Sequence, residues 1–164
     1  MTRHTLLIVL ALVVTLPTAT RGQSSPSFGG TWKLSQAEPP VPAGRGGGGA
    51  RGGGISGPYA ETILAPAPDS LTIAQTGSEL TVQIGSAKAV YTLDNKTKSA
   101  PEGDVMALKT RAHWEGAKLH LHYKQGMNWG RDVLSMSGSN LTVVRDLESG
   151  GQSTTRTLIY SKTS

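Results

Sequence analysis

Apolar and polar side chains alternate along most of the chain after Pro68. In the segments 70–75 and 79–84, leucine, isoleucine or valine recurs at every second position. A period of two places one row of side chains on the buried face of a β-strand, and threonine, valine and tyrosine favour strands. The same pattern predicts further strands at 88–93, 106–114, 118–123, 131–137, 140–147 and 153–160. No apolar stripe with helical spacing occurs after residue 22.

A short pattern recurs where pairs of these strands meet. The sequences TGSELTV (76–82), EGAKLHL (115–121) and SGSNLTV (137–143) each have a glycine followed three positions later by a leucine. Glycine tolerates the positive φ of tight hairpin turns. Consecutive hairpins predict an up-and-down antiparallel meander, and eight or more strands usually close into a barrel, which removes their edges. We therefore expect an all-β antiparallel barrel of eight to ten strands.

A further strand is predicted at 28–35, where the sequence FGGTWKLS places Trp32 on the buried face. The Gly-Thr-Trp sequence at 30–32 resembles the Gly-x-Trp signature in the first strand of lipocalins. The chain from residue 23 on is also similar to small exported lipocalin-like domains that open with F-x-G-T-W-K-L. The resemblance implies an up-and-down lipocalin-like barrel. In lipocalins an arginine of the last strand packs across the tryptophan, and the resemblance implies this role for Arg156.

The first 22 residues have the layout of a secretory signal peptide. Arg3 and His4 precede a continuous apolar run at 6–14, and Pro17 follows it. This run is shorter than the about 20 residues that span a bilayer. Small or polar residues then lead to a predicted cleavage after position 22. We expect a single barrel domain at 23–164, exported to the periplasm or the extracellular space.

Composition narrows the classes of protein that fit. The 164 residues include no cysteine, which excludes disulfides and a lipid-anchored cysteine. Removal of residues 1–22 takes away two of 16 basic side chains, so that 14 face 11 acidic ones. This mild excess does not indicate nucleic-acid binding. We expect no integral membrane segment in the chain after residue 22 and no cofactor.

A connector rich in glycine and proline spans residues 39–58. It lacks the lysine of a phosphate-binding loop and a helix after it. Arginine-glycine segments bind RNA, but export separates the protein from RNA. The composition therefore predicts a flexible linker between the first strand and the rest, with a short strand at 59–64. The alternative is a mobile lid in which Arg45 and Arg51 hold an anion.

Three histidines share one face of two neighbouring predicted strands. A two-residue turn at Gly116 places His113, His120 and His122 on the same face, opposite the apolar one. The outward face also carries lysine and arginine side chains, which repel a metal ion. We expect a solvated outer face. Two alternatives are a stripe that binds anions and a zinc or copper site formed by the three imidazoles.

Three charged side chains fall on the inward face instead. Asp132, Arg145 and Arg156 alternate with buried leucines, and one register places Asp132 opposite Arg145. A buried charge without a partner costs roughly several kcal/mol of folding free energy. The sequence predicts a structural ion pair at one end of the barrel. The alternative is an anchor inside the barrel for the carboxylate of a ligand.

Two large apolar residues lie in the turn-rich segment 125–132. We expect Met127 and Trp129 to plug one end of the barrel or to line its mouth. The long loop at 94–104 should lie at the same end, and an opening is expected there.

These patterns favour an exported binding protein for a small apolar or amphipathic molecule. The predicted ligand-binding residues are Trp32, Trp129, Asp132, Arg145 and Arg156. The alternative is an envelope-structural or protein-interaction module with a filled barrel, which would have a protein partner. We expect no enzymatic activity, because alternation brings no histidine inward and Asp132 has no nucleophile or base beside it.

Overall fold

The computed structural model of the protein describes residues 25–40, 63–100 and 106–163. The predicted signal peptide at 1–22 and most of the connector, with Arg45 and Arg51, lie outside the described residues. The described part contains no helix, and so none that could cross a bilayer. Its ten strands are β1 (Gly30–Glu38), β2 (Ser70–Gln75), β3 (Glu79–Ile84), β4 (Ala87–Thr92), β5 (Lys98–Ala100), β6 (Leu108–Glu115), β7 (Lys118–Gln125), β8 (Asn128–Ser137), β9 (Asn140–Ser149) and β10 (Gln152–Thr163).

The ten strands form one antiparallel sheet that curls into a nearly closed barrel. The order is β4-β3-β2-β1-β10-β9-β8-β7-β6-β5, so β1 lies between β2 and β10 and every other neighbour follows in sequence. The two ends of this order approach each other, since the Thr110 hydroxyl on β6 donates a 2.7 Å hydrogen bond to the Val90 carbonyl on β4. The predicted all-β antiparallel barrel is confirmed.

The alternation of apolar and polar residues predicted the boundaries of most strands to within a few residues. Those predicted at 70–75 and 79–84 have the observed bounds. The three-residue strand β5 lies inside the predicted long loop at 94–104, because so short a segment has no alternation to detect. This strand therefore interrupts the predicted loop. The described residues of the strand predicted at 59–64, Ile63 and Leu64, lie in a turn, so that prediction is wrong for them.

The hairpin glycines behave as expected in two of three cases. Gly116 and Gly138 have φ of 60° and 61°, the left-handed conformation that a side chain disfavours. Gly77 does not have a positive φ. Its turn is closed instead by the Thr76 amide, which donates a 2.8 Å hydrogen bond to the carbonyl of Glu79.

Large side chains fill the barrel interior. The bulkiest of these are Trp32, Tyr91, Tyr160 and Phe28, each with less than 2% of its surface exposed. The indole Nε1 of Trp32 donates a 2.9 Å hydrogen bond to the Phe28 carbonyl, which satisfies its polar atom. Leucines from five strands complete the packing: Leu80, Leu119, Leu121, Leu134, Leu141 and Leu158.

Candidate functional site

A buried ion pair lies inside the barrel. Asp132 on β8 faces Arg145 on β9 in the register of the sheet, as one of the predicted registers required. The guanidinium nitrogens Nε and Nη2 of Arg145 lie 2.8 and 2.6 Å from the two carboxylate oxygens of Asp132. Burial is the largest single influence on the pKa of Arg145 and lowers it, but the charge and hydrogen bonds of Asp132, together with Tyr123 and Tyr160, more than compensate and the net pKa is raised. The guanidinium is therefore held in its charged form.

The third nitrogen of this guanidinium bonds to the backbone. Nη1 of Arg145 donates a 2.5 Å hydrogen bond to the Ala65 carbonyl, and the Tyr160 hydroxyl donates one of 3.0 Å to the Pro68 carbonyl. The segment 63–69 thus lies over one end of the barrel, with Ile63, Leu64 and Ala65 buried. All three guanidinium nitrogens of Arg145 are engaged by the protein itself.

A tyrosine completes the environment of the carboxylate. The Tyr123 hydroxyl donates a 3.1 Å hydrogen bond to Oδ1 of Asp132. Tyr123 reaches it by leaning across Gly130, its neighbour on β8, where an added Cβ would lie 2.2 Å from the ring. Burial raises the pKa of the Tyr123 phenol well above its usual value. This phenol therefore remains a neutral donor.

Arg156 does not pack across Trp32, so the role implied by the lipocalin resemblance is wrong. Its Nη1 instead donates hydrogen bonds of 2.6 and 3.2 Å to the carbonyls of Pro39 and Pro40. The cation over the indole belongs to Lys162, whose Nζ lies 5.6 Å from the ring centroid and whose strand position faces Trp32. Gly30 makes room for this side chain, because an added Cβ would lie 2.6 Å from Cε of Lys162.

Trp129 and Met127 do not plug the barrel, so that prediction is wrong. Met127 lies in a two-residue turn between β7 and β8 and is 91% exposed. Trp129 belongs to β8 and points outward, with its indole Nε1 2.8 Å from Oε2 of Glu148. The error arose because the segment 125–132 reads as a loop, although the strand begins at Asn128. Of the five predicted ligand-binding residues, only Trp32, Asp132 and Arg145 are buried inside the barrel.

The three histidines lie on the outer face of β6 and β7, as predicted. His113 faces His120 in the register, and its ring stacks on those of His120 and His122 at centroid distances of 5.0 and 5.6 Å. Stacked rings do not direct their nitrogens at a common point. In the described residues no group of three or more histidine, cysteine, aspartate or glutamate side chains is arranged to hold a metal ion.

These imidazoles are half-buried rather than fully solvated. Burial lowers the pKa of His120, which outweighs the opposite effect of Glu115, whose Oε2 lies 3.0 Å from Nε2. Burial also lowers the pKa of His122, and the charge of Arg111 adds to it. The surroundings of His120 and His122 therefore favour neutral rings at these two positions.

A cleft of about 500 Å³ lies where the two edges of the sheet meet. Its lining is largely apolar and comes from β4, β5 and β6, with Glu79 of β3 beside them, and Val90 is 42% exposed. Lys88 and Lys98 stand at its rim, and neither forms an ion pair with a described carboxylate. The remaining lining residues are Ala89, Thr92, Ala100, Leu108 and Thr110.

Sequence reasoning missed this cleft altogether. It depends on which strands are the edges of the sheet, and β5, one of the two, was not predicted. The available signal was Val90, an apolar residue at an outward position of a strand. An exposed apolar side chain alone is too common to identify a site.

Comparison with known proteins finds similarity in fold but not in sequence. No protein-family model matches the chain, and no curated protein matches it. Among solved structures, an abundant heat soluble (SAHS) protein of Ramazzottius varieornatus is 13% identical with a TM-score of 0.53, over 85% of this chain and 98% of that one.

Two further structures are similar over comparable lengths. Fatty-acid-binding protein 1 of Echinococcus granulosus is 11% identical with a TM-score of 0.52, over 84% of this chain and 98% of that one. A fatty acid transporter, REP1-NXSQ, is 13% identical with a TM-score of 0.51, over 83% and 96%. Identities this low establish a shared lipocalin-like barrel fold and nothing finer.

Proposed function

We propose that the protein is an exported, non-catalytic binding protein for a small amphipathic molecule, held in the cleft between β4 and β5–β6. The observation that carries this proposal is the cleft itself, which combines a largely apolar lining with two lysines at its rim that form no ion pair with a described carboxylate. Ligand sites in proteins are concave, mostly apolar and supplied with a few placed polar groups. The cleft has these properties.

The chemistry of the cleft selects a class of ligand. A short apolar chain would cover Val90 and Leu108, and an anionic head group would lie against Lys88 or Lys98. Two structural neighbours are named for fatty acids, which combine an apolar chain with a carboxylate. These names agree with the proposal, but the similarity to this chain is one of fold only.

The proposed site differs from the barrel interior that the sequence predicted. Inside the barrel, Trp32 and Leu141 are fully packed, and the guanidinium of Arg145 already has three protein partners. A ligand carboxylate at Arg145 would have to displace the Ala65 carbonyl or Asp132. The cleft requires no such displacement.

Export forms part of the proposal and is supported by the sequence. The apolar run at 6–14 with its basic start has the pattern of a signal peptide. The absence of enzymatic activity is likewise proposed. It is supported by Asp132, whose two carboxylate oxygens accept hydrogen bonds from Arg145 and Tyr123 and are thereby committed to structural contacts.

Titration with the fluorescent fatty acid cis-parinaric acid tests the proposal. The wild-type protein should bind the probe, and Lys88→Glu/Lys98→Glu should weaken binding about tenfold, the size expected for two exposed ion pairs. Val90→Glu should weaken it as well, because the apolar chain then meets a charge. The matched control is Lys33→Glu/Lys118→Glu, which makes the same charge change on the outer face away from the cleft.

Two results would contradict the proposal. One is an absence of probe binding by the folded wild-type protein, and the other is equal binding by the cleft variants and the control. Thermal melting of every variant separates lost binding from lost folding.

A second candidate function is a protein-interaction module whose filled barrel acts through its outer surface. The close packing of the interior favours it, since Trp32, Tyr91 and Tyr160 are almost fully buried. Native mass spectrometry of the protein purified from its own source distinguishes the two. A co-purifying small molecule supports binding, whereas an empty spectrum that does not shift on addition of fatty acid supports the interaction module.

A further inference from the structure

We propose that one corner of the barrel docks onto an anionic lipid surface. The corner consists of Met106, Met127 and Trp129, together with Lys109 and Lys124, and is called the hairpin corner below. It lies where β6 begins and where the turn between β7 and β8 reverses the chain. None of its residues lines the cleft of the proposed function, so the two proposals stand or fail separately.

The hairpin corner gathers most of the exposed large apolar side chains of the described residues. Met127, Met106 and Trp129 are 91%, 60% and 40% exposed. Their proximity follows from the fold: Met106 lies against the β7–β8 turn, since a Cβ on Gly126 would be 3.1 Å from its methyl carbon. Apolar side chains concentrated at one exposed place indicate an interaction surface.

Two lysines lie beside these apolar tips. Lys109 faces Lys124 in the register of β6 and β7, and Lys124 faces Trp129 in that of β7 and β8. Neither ammonium forms an ion pair with a carboxylate of the described residues. Like charges directly opposite each other destabilise a sheet, so an external anion would relieve this repulsion.

Two described acidic side chains lie next to this corner, Glu148 and Asp146. Glu148 accepts a hydrogen bond from the indole of Trp129, and Asp146 forms an ion pair with Arg131. Arg111, two residues further along β6, adds a cation that forms no ion pair with any carboxylate the structure describes. Among the described residues, the four cations Lys109, Arg111, Lys124 and Arg131 outnumber these two carboxylates, so this outer face carries net positive charge.

The shape of the corner favours a lipid surface over an acidic protein. Met127 projects from the tip of a two-residue turn, and a protein partner would need a pocket to enclose it. A lipid head-group layer accepts a protruding apolar tip without such a pocket, tryptophan partitions to this layer, and lysines are attracted to its anionic lipids.

Vesicle co-sedimentation of the full chain without its predicted signal peptide tests this proposal. The probe is vesicles of phosphatidylcholine alone or mixed with phosphatidylglycerol. We expect binding to the anionic vesicles that weakens as salt is added. Lys109→Glu/Lys124→Glu and Met127→Ser/Trp129→Ser should each reduce partitioning by at least about tenfold. The control for the charge change is Lys33→Glu/Lys118→Glu, with Lys118 at the opposite end of β7.

Four outcomes would overturn the proposal. The wild-type protein does not sediment with anionic vesicles, both corner variants bind as the control does, or binding is equal for neutral and anionic vesicles. The fourth outcome distinguishes a lipid surface from an acidic protein as the partner. In it, polyglutamate binds the protein through Lys109 and Lys124, while Met127→Ser/Trp129→Ser leaves vesicle binding unchanged. That combination assigns the corner to an acidic protein instead. Quenching of Trp129 fluorescence by brominated lipid, measured against Trp129→Phe, gives an independent readout of insertion.

Discussion

Asp132 and Arg145 face each other across β8 and β9 and form a bidentate ion pair inside the barrel. Replacement of Arg145 by methionine leaves the Asp132 carboxylate buried without its charge partner. The expected loss is about 3–5 kcal/mol of the free energy of unfolding, measured by urea denaturation. The double variant Asp132→Leu/Arg145→Met removes both charges and should be less destabilised than Arg145→Met alone. Equal stability of Arg145→Met and wild type would mean that the pair is solvated in solution.

The contact between Tyr123 and Gly130 predicts that Gly130 does not tolerate a larger side chain. Because an added Cβ would lie 2.2 Å from the ring, Gly130→Ala must displace Tyr123 from Asp132. We expect a loss of about 1–3 kcal/mol in the free energy of unfolding, the usual cost of overpacking. Gly77→Ala is the matched control, since nothing lies within 4 Å of an added Cβ there and φ is not positive. Similar stabilities for the two variants would contradict the packing described.

Lys162 rather than Arg156 should control the environment of Trp32. Lys162→Ala removes the cation over the indole and should cost about 0.5–1 kcal/mol, the range for an exposed cation–π contact. Fluorescence of a variant in which Trp114 and Trp129 are phenylalanine reports Trp32 alone, and its emission should change. Arg156→Ala should leave that emission as it is. A response to Arg156 and not to Lys162 would restore the arrangement that the lipocalin resemblance implies.

The half-buried histidines predict a stability that falls in mild acid. The folded-state pKa values of His120 and His122 lie below the ordinary 6.5, so the unfolded chain binds protons first as pH decreases. The free energy of unfolding should therefore fall as pH drops below about 6.5 and level off below the lowered pKa values. Urea denaturation across this range should show a smaller fall for His120→Gln/His122→Gln. An identical pH dependence for that variant would exclude these two rings as the cause.

The alternation of apolar and polar side chains was sufficient to predict most of the fold. It located β2 and β3 to the residue because both have apolar side chains at every second position and turns with glycine or threonine. It also placed Asp132 and the three histidines on the correct faces, since side-chain direction follows from position once a strand exists. These are local properties of the chain.

The errors came from properties that are not local. Trp129 was assigned to a loop because two glycines flank it, yet the ladder with β7 and β9 extends the strand to Asn128. Lys162 lay beyond the last strand as predicted, which ended at residue 160, whereas pairing with β1 carries β10 to Thr163. Register across distant strands decides both cases, and the sequence of either strand alone does not contain it.

The three tyrosines of the interior have a consequence for alkaline solution. Burial raises the pKa of Tyr91, Tyr123 and Tyr160, so each phenol stays protonated in the folded barrel at a pH where an unfolded chain has lost that proton. Unfolding above about pH 10 therefore releases up to three protons from these phenols, and the free energy of unfolding should fall steadily as pH rises. The ultraviolet absorbance of tyrosinate at these positions should therefore rise in the same step as the barrel unfolds. The three phenols thus act as intrinsic spectroscopic probes of unfolding.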